Sequence, residues 1–231
     1  MTIVLAHRGA SRRERENTLA AFRAARDLGA PWIELDVRLA VDGALVVHHD
    51  PAYPDGRPVS GTCGDQRPDH VPVLRDALAA CEGMEVNVEI KNSPGEVGYD
   101  SDAAVVAPTV AVIAGAGWRE RVLVSCFDRP TLDAVRRADP GLATALLTSQ
   151  LPAARHRWLA GLAADGHRAI HPWWPLADAA MIAAAHAAGL AVNVWTCDDP
   201  DAIGRLVAWG VDGICTNVPD VALAAIARAA G

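Results

Sequence analysis

Gly29-Ala30-Pro31-Trp32-Ile33-Glu34-Leu35-Asp36-Val37 is the stretch on which the fold turns. Past the glycine a strict alternation begins, with Ile33, Leu35 and Val37 on one side and Trp32, Glu34 and Asp36 on the other. This is the period of a β-strand, in which residues two apart share a face and lie roughly 6.6 Å from each other. The segment thus offers an aliphatic face to a hydrophobic layer and aims two carboxylates the opposite way. Two ionised carboxylates on one buried face repel unless a cation sits between them or one keeps its proton.

The step from a glycine back into a strand recurs at Gly189-Leu190 and Gly210-Val211. Working outward, strands are expected at 3–6, 32–37, 86–90, 122–125, 143–147, 169–171, 191–195 and 213–215. Helical patterns fill the intervals at 18–28, 73–81, 103–116, 130–138, 153–163, 177–188, 201–208 and 221–230. Asn17 and Asp199 suit N-caps, Pro200 a first turn, and Gly29, Gly189 and Gly210 the position past a helix end. Such alternation implies an α/β fold with a parallel sheet. Eight units in 231 residues fit a closed (β/α)8 TIM barrel, expected as a single domain over 1–231. An open doubly wound sheet would carry a glycine-rich phosphate loop after its first strand. Here that strand runs instead into His7-Arg8-Gly9-Ala10. The segment 52–72, rich in proline and glycine, is expected as a short irregular insertion.

The formal net charge of −7 argues against nucleic acid or anionic lipid as a general partner, so an anionic substrate would need a metal or a few placed cations. The five cysteines form no Cys-x-x-Cys pair, which points to small buried hydrophobes rather than a zinc site or disulfide framework. The apolar run at 3–6 is too short for a signal peptide, and no stretch is long enough to span a bilayer. The expectation is a cytoplasmic chain without a stable membrane anchor.

Barrel strands place aliphatics outward and functional residues inward near their C-terminal ends. In the third strand Val86, Val88 and Ile90 alternate with Asn87, Glu89 and Lys91; in the seventh, Val192 and Val194 alternate with Asn193 and Trp195. The rule brings His7, Glu34, Asp36, Glu89, Lys91, Ser125 and Trp195 to one mouth. Glu34, Asp36 and Glu89 make a hard oxygen site suited to one divalent cation, Mg²⁺ or Ca²⁺. Arg8, as a fork, and Lys91, as a point charge, can hold a phosphate. His7 with either His48 or His49 can serve as a general acid–base pair. Ser125 either bonds phosphate or caps the next helix, and Trp195 is either a pocket wall or a core filler. Cation, basic residues and two histidines together suit cleavage of a phosphodiester, where charge must be neutralised and a leaving oxygen protonated.

At these residues the chain resembles the glycerophosphodiester phosphodiesterase family. The matching stretches begin with His7-Arg8-Gly9-Ala10, Glu16-Asn17-Thr18, Ile33-Glu34-Leu35-Asp36-Val37, Asp42-Gly43 and Val46-Val47-His48-His49-Asp50-Pro51. They continue through Asn87-Val88-Glu89-Ile90-Lys91, Val124-Ser125, Val194-Trp195-Thr196 and Gly213 to Pro219-Asp220, in order along nearly the whole chain. The resemblance implies a (β/α)8 barrel, a divalent metal on Glu34, Asp36 and Glu89, catalytic histidines at His7 and His49, and Arg8 and Lys91 at the phosphate. It also implies a small-molecule glycerophosphodiester substrate, with sn-glycerol 3-phosphate and an alcohol as products. Two features depart from the family pattern: Asn217 stands where an aspartate commonly follows the threonine, and the segment after His49-Asp50 is short, which implies a more open pocket.

Overall fold

Alternation of side chains along each strand sorts this protein into an inside and an outside. The computed structural model describes residues 2–229; Ala230, the last residue of the final expected helix, lies outside them, as do Met1 and Gly231. The chain runs β1 (Ile3–His7), α1 (Leu19–Asp27), β2 (Trp32–Leu39), β3 (Leu45–Val47), α2 (Leu74–Ala80), β4 (Glu85–Ile90), α3 (Val106–Gly115), β5 (Val122–Cys126) and α4 (Arg129–Ala138). It continues with β6 (Ala143–Thr148), α5 (Arg155–Ala164), β7 (Ala169–Pro172), α6 (Ala179–Ala187), β8 (Ala191–Val194), α7 (Pro200–Ala208), β9 (Gly213–Thr216) and α8 (Pro219–Ala229). Eight strands pair in parallel from β1 through β2, β4 and on to β9, which returns to β1 and closes the barrel. This is the expected TIM barrel. No helix among the described residues is long and apolar enough to cross a membrane.

The outward residues, among them Ile33, Leu35, Val37, Val86, Val88, Val124, Ile170, Val192 and Ile214, form one large core with the helices. The lower interior is a separate apolar plug of Leu123, Ala145 and Ala169, packed with Trp32, Ala143 and Ala191. Alanines at 143, 145, 169 and 191 leave room there for Leu123 and Trp32 among eight converging strands. Gly213 is the extreme case: a Cβ would lie 2.4 Å from Asn193 Oδ1 and 2.9 Å from Leu5 Cδ1. At the other end of the barrel Gly9 (φ 84°) leaves the β1–α1 loop lying on α1, where a Cβ would stand 2.6 Å from the Ala21 carbonyl carbon.

Two differences from the sequence reading bear on the mouth. Strand β3, antiparallel to β2 through Val37↔Val47 and Leu39↔Leu45, is absent from the expected elements. Three residues are too few to establish a period, so it is invisible until its partner is known. The second concerns the start of α1. Thr18 is its N-cap, accepting from the Ala21 N–H at 3.2 Å, whereas Asn17 adopts φ 54° and turns its side chain toward the barrel. The segment 52–72 is irregular as expected, with two short 3₁₀ turns, and buries Tyr53, Val59 and Val71 against Ala40 and Val46.

Gly213→Ala is expected to cost about 1–3 kcal/mol by forcing Asn193 and Leu5 aside. Thermal unfolding should show a midpoint lower by several degrees, whereas Gly204→Ala, on α7 with open space at its Cβ, should leave it unchanged or raise it.

Candidate active site

Parallel register sets the height at which each side chain enters the mouth. His7 pairs with Glu34, Asp36 with Glu89, and Glu89 with Ser125, so successive strands present their polar residues in one layer. Immediately past β1 the backbone of Arg8 takes φ 57°, a conformation costly for a side-chain-bearing residue, and its N–H donates to Glu34 Oε2 at 2.9 Å. Asn17, also at positive φ, clamps Asp36 from the side: its Nδ2 donates to Oδ2 at 2.7 Å and its Oδ1 accepts from the Asp36 N–H at 3.3 Å. Two of the three non-glycine residues at positive φ among those described thus hold these carboxylates; the third, Ala103, lies before α3.

Glu34, Asp36 and Glu89 are 3%, 1% and 8% exposed, and each offers an oxygen within 4.8 Å of the others. Burial and the neighbouring Asp36 and Glu89 push Glu34 well above the usual carboxylate range. Burial likewise raises Glu89, although Lys91 opposes it. Asp36 goes the other way: burial is outweighed by Lys91, Arg8, His49 and the Asn17 hydrogen bond, which bring it down to about 2. Glu34 Oε1 and Asp36 Oδ1 are buried with no hydrogen-bond partner. Two orphaned carboxylate oxygens in a three-carboxylate cluster are the donor set that a hard divalent cation takes, and the residues fit one.

The cations expected at phosphate lie against this cluster. Lys91 Nζ sits 2.7 Å from Glu89 Oε1 and 3.7 Å from Asp36 Oδ1. The Arg8 guanidinium grips Glu16 through Nη1 at 2.9 and 3.0 Å and places Nε 3.2 Å from Asp36 Oδ2. On the other side, His7 Nδ1 is 2.7 Å from Asn217 Oδ1 and its Nε2 is 3.9 Å from Glu34 Oε2. Burial first, and then Arg8, lowers the His7 pKa.

Strand β3 carries the chain back over the mouth. The His48 N–H donates to the Asp36 carbonyl at 3.0 Å, and Arg38 Nε donates to the His49 carbonyl at 2.8 Å. Neighbouring residues then diverge. His49 lines the pocket with His7, Arg8, Glu34, Glu89 and Lys91, and its Nδ1 lies 2.8 Å from Asp50 Oδ1. His48 points to the Ala52 carbonyl at 3.1 Å and packs against the Tyr53 ring. Trp195 lines the pocket as a wall: Phe127 meets it edge-on at 5.3 Å, and its Nε1 donates to the His171 carbonyl at 2.8 Å. Ser125 does not cap α4, a role taken by Asp128, which accepts from the Thr131 N–H at 3.0 Å; its Oγ is buried without a partner. A second hollow of about 270 Å³, beside β2 and the β4–α3 loop, shares only Lys91 with this pocket.

Asn17, Phe127 and Cys215 also belong here, and none of them is among the site residues expected from the sequence. Cys215 was legible there, because it alternates with Gly213 on β9 and so faces inward; its Sγ lies within 4.8 Å of ligand atoms of His7 and Glu34. The general expectation of buried cysteines holds for Cys81, Cys126, Cys197 and Cys215, while Cys63 is half-buried.

The model of the glycerophosphoryl diester phosphodiesterase family matches residues 7–221. A glycerophosphodiester phosphodiesterase from Caldanaerobacter subterraneus subsp. tengcongensis is 30% identical over 246 residues, covering 95% of this chain and 95% of its own length. Among solved structures, an Oleispira antarctica phosphodiesterase in complex with the product sn-glycerol-3-phosphate is 25% identical, covers 98% of this chain and 97% of its own, and has a TM-score of 0.88. The glycerophosphodiester phosphodiesterase from Thermotoga maritima shares the fold at 23% identity and a TM-score of 0.79, with 96% of each chain covered.

The raised Glu34 carboxyl makes stability pH-dependent in the absence of divalent ions. A group whose pKa is higher folded than unfolded contributes fully below its unfolded value, and that contribution is lost as pH rises through the folded one. In EDTA at pH 8, Glu34→Gln should therefore raise the thermal midpoint, by roughly 2–4 °C for each kcal/mol of relieved repulsion. Addition of Mg²⁺ or Ca²⁺ should raise the midpoint of the unaltered protein more than that of the variant.

Proposed function

The chain belongs to the glycerophosphodiester phosphodiesterase family, and we propose that it hydrolyses small-molecule glycerophosphodiesters to sn-glycerol 3-phosphate and an alcohol, as a single barrel domain, using a divalent cation and two histidines. The observation that carries this reading is the meeting of Glu34, Glu89, Arg8, Lys91, His7 and His49 around one pocket of the barrel mouth, with the buried Asp36 carboxylate within 4.8 Å of the other two. The product complex of the Oleispira antarctica relative supports the choice of product.

Glu34, Asp36 and Glu89 are the residues that would hold the cation, and Mg²⁺ or Ca²⁺ suits their oxygen donors. When bound it would supply positive charge to offset the negative charge developing on the phosphoryl oxygens. Arg8 and Lys91 add fixed positive charge on the phosphate side of the pocket. His7 Nε2 takes a proton from the attacking oxygen as that oxygen bonds to phosphorus; the oxygen is that of water, or that of the glycerol hydroxyl, in which case water then opens the cyclic phosphate to sn-glycerol 3-phosphate. His49 gives a proton to the alcohol oxygen as the second phosphorus–oxygen bond breaks. Trp195 and Phe127 form the apolar wall against which the glycerol moiety or the departing alcohol packs, whereas Ser125, fully buried, does not line the pocket.

Incubation with glycerophosphocholine and Mg²⁺ or Ca²⁺ should release glycerol 3-phosphate, with turnover abolished by EDTA and restored by the cation. His7→Ala and His49→Ala should each lower kcat by about 10²–10⁴-fold. Turnover that survives exhaustive chelation would remove the metal from the reading, and a fully active His49→Ala enzyme would remove the second histidine. No release from any of a panel of glycerophosphodiesters would sink the substrate assignment.

A further inference from the structure

A hydrogen-bonded chain leads from the loop after β8, past the end of β9, to His7. Asp198 Oδ1 accepts from the Thr216 hydroxyl at 2.9 Å and from the Asn217 backbone N–H at 2.8 Å. Its Oδ2 accepts from Asn217 Nδ2 at 2.8 Å. Burial opposes charge on Asp198, but the bonds from Asn217 and Thr216 outweigh it and hold the carboxyl below its usual range. A carboxylate has no proton to give, so the Asn217 carboxamide must turn its nitrogen to Asp198 and its oxygen away. That oxygen lies 2.7 Å from His7 Nδ1 and accepts from the Ser11 hydroxyl at 3.0 Å. A carboxamide oxygen only accepts, so His7 must present N–H at Nδ1. In the neutral ring the lone pair is then on Nε2, the nitrogen beside Glu34.

We infer that Asn217 and Asp198 are positioning residues for the hydrolysis: together they lock His7 in the Nδ1–H tautomer and so make Nε2 its proton acceptor. The inference rests on the reading of His7 as the base. Neither residue lines the pocket, so each acts through His7 rather than on substrate. Polarity passes along the chain by elimination at each link. The acceptor-only carboxylate orients the amide, and the amide oxygen orients the ring proton. What the last link requires is an acceptor facing Nδ1, and a carboxylate at position 217 would also supply one, provided that the group at 198 donates instead of accepting.

Three measurements test this. Long-range ¹H–¹⁵N correlation of His7 in the unaltered protein, without divalent ions, should show a protonated Nδ1 and a bare Nε2. Asn217→Leu should lower kcat about 100-fold, the scale of a general base placed in the wrong form, with KM held and both tautomers present. The double variant Asp198→Asn with Asn217→Asp reverses donor and acceptor at the first link and keeps the acceptor at the second. It should restore kcat to within a few-fold and the single Nδ1–H tautomer with it. A bare Nδ1 in the unaltered protein overturns the inference whatever the variants do, as does a wild-type kcat in Asn217→Leu. A double variant as impaired as Asn217→Leu does so too. An active His7→Ala enzyme, by contrast, would overturn the catalytic reading of His7 and leave the tautomer measurement standing.

Discussion

Mutual repulsion among Glu34, Asp36 and Glu89 is the constraint on which the mouth of this barrel is built. Three carboxylates almost without solvent cannot all remain ionised on their own. The chain surrounds them with Arg8, Lys91 and the Asn17 carboxamide, which suffices to hold Asp36 ionised and leaves Glu34 pushed toward its protonated form. The remaining imbalance is of the sign that a divalent cation corrects. Positive φ at Arg8 and Asn17 belongs to the same balance, because each residue spends an unfavourable backbone conformation to point a donor at a carboxylate.

The apolar plug at the bottom of the barrel is the counterpart of that polar layer. Leu123, Ala145 and Ala169 with Trp32 fill the interior on the side of the carboxylates away from the mouth. The low local polarity strengthens every interaction in the cluster, both the repulsion and the attraction to a cation. Packing below and chemistry above thus use the same inward positions of the same strands, one turn of the alternation apart.

How much of this could be read from the sequence follows from the range of each signal. Strand alternation has a period of two, so Glu34 with Asp36, and Glu89 with Lys91, announced their shared faces within a few residues. The eight strand positions followed for the same reason, to within one or two residues at their ends. Local pattern offered Asn17 as a candidate cap and gave no sign of its bond to Asp36, because a residue at positive φ that bonds a strand nineteen positions later leaves no local pattern. Adjacent His48 and His49 were separable in principle by facing opposite ways, but the strand that sets their facing, β3, was itself too short to see. Asp198 and Asn217 carried no signal toward His7, since that contact exists only once the barrel has closed.

Closure therefore does more than remove sheet edges. Strand β9 pairs with β1 through Ile3↔Gly213, Leu5↔Cys215 and Ala6↔Thr216, and the residue after this pairing is Asn217, at His7. At its other end the same strand begins with Gly213, whose missing side chain admits Asn193 and Leu5 to the interior. A shift of β9 by one residue would turn Cys215 outward and bring Thr216 into the barrel. It would put a side chain where Asn193 now sits and take the Asn217 carboxamide from the His7 ring. The fit of a glycine in the plug and the direction of a proton at the mouth are thus fixed by one register, which neither could hold alone.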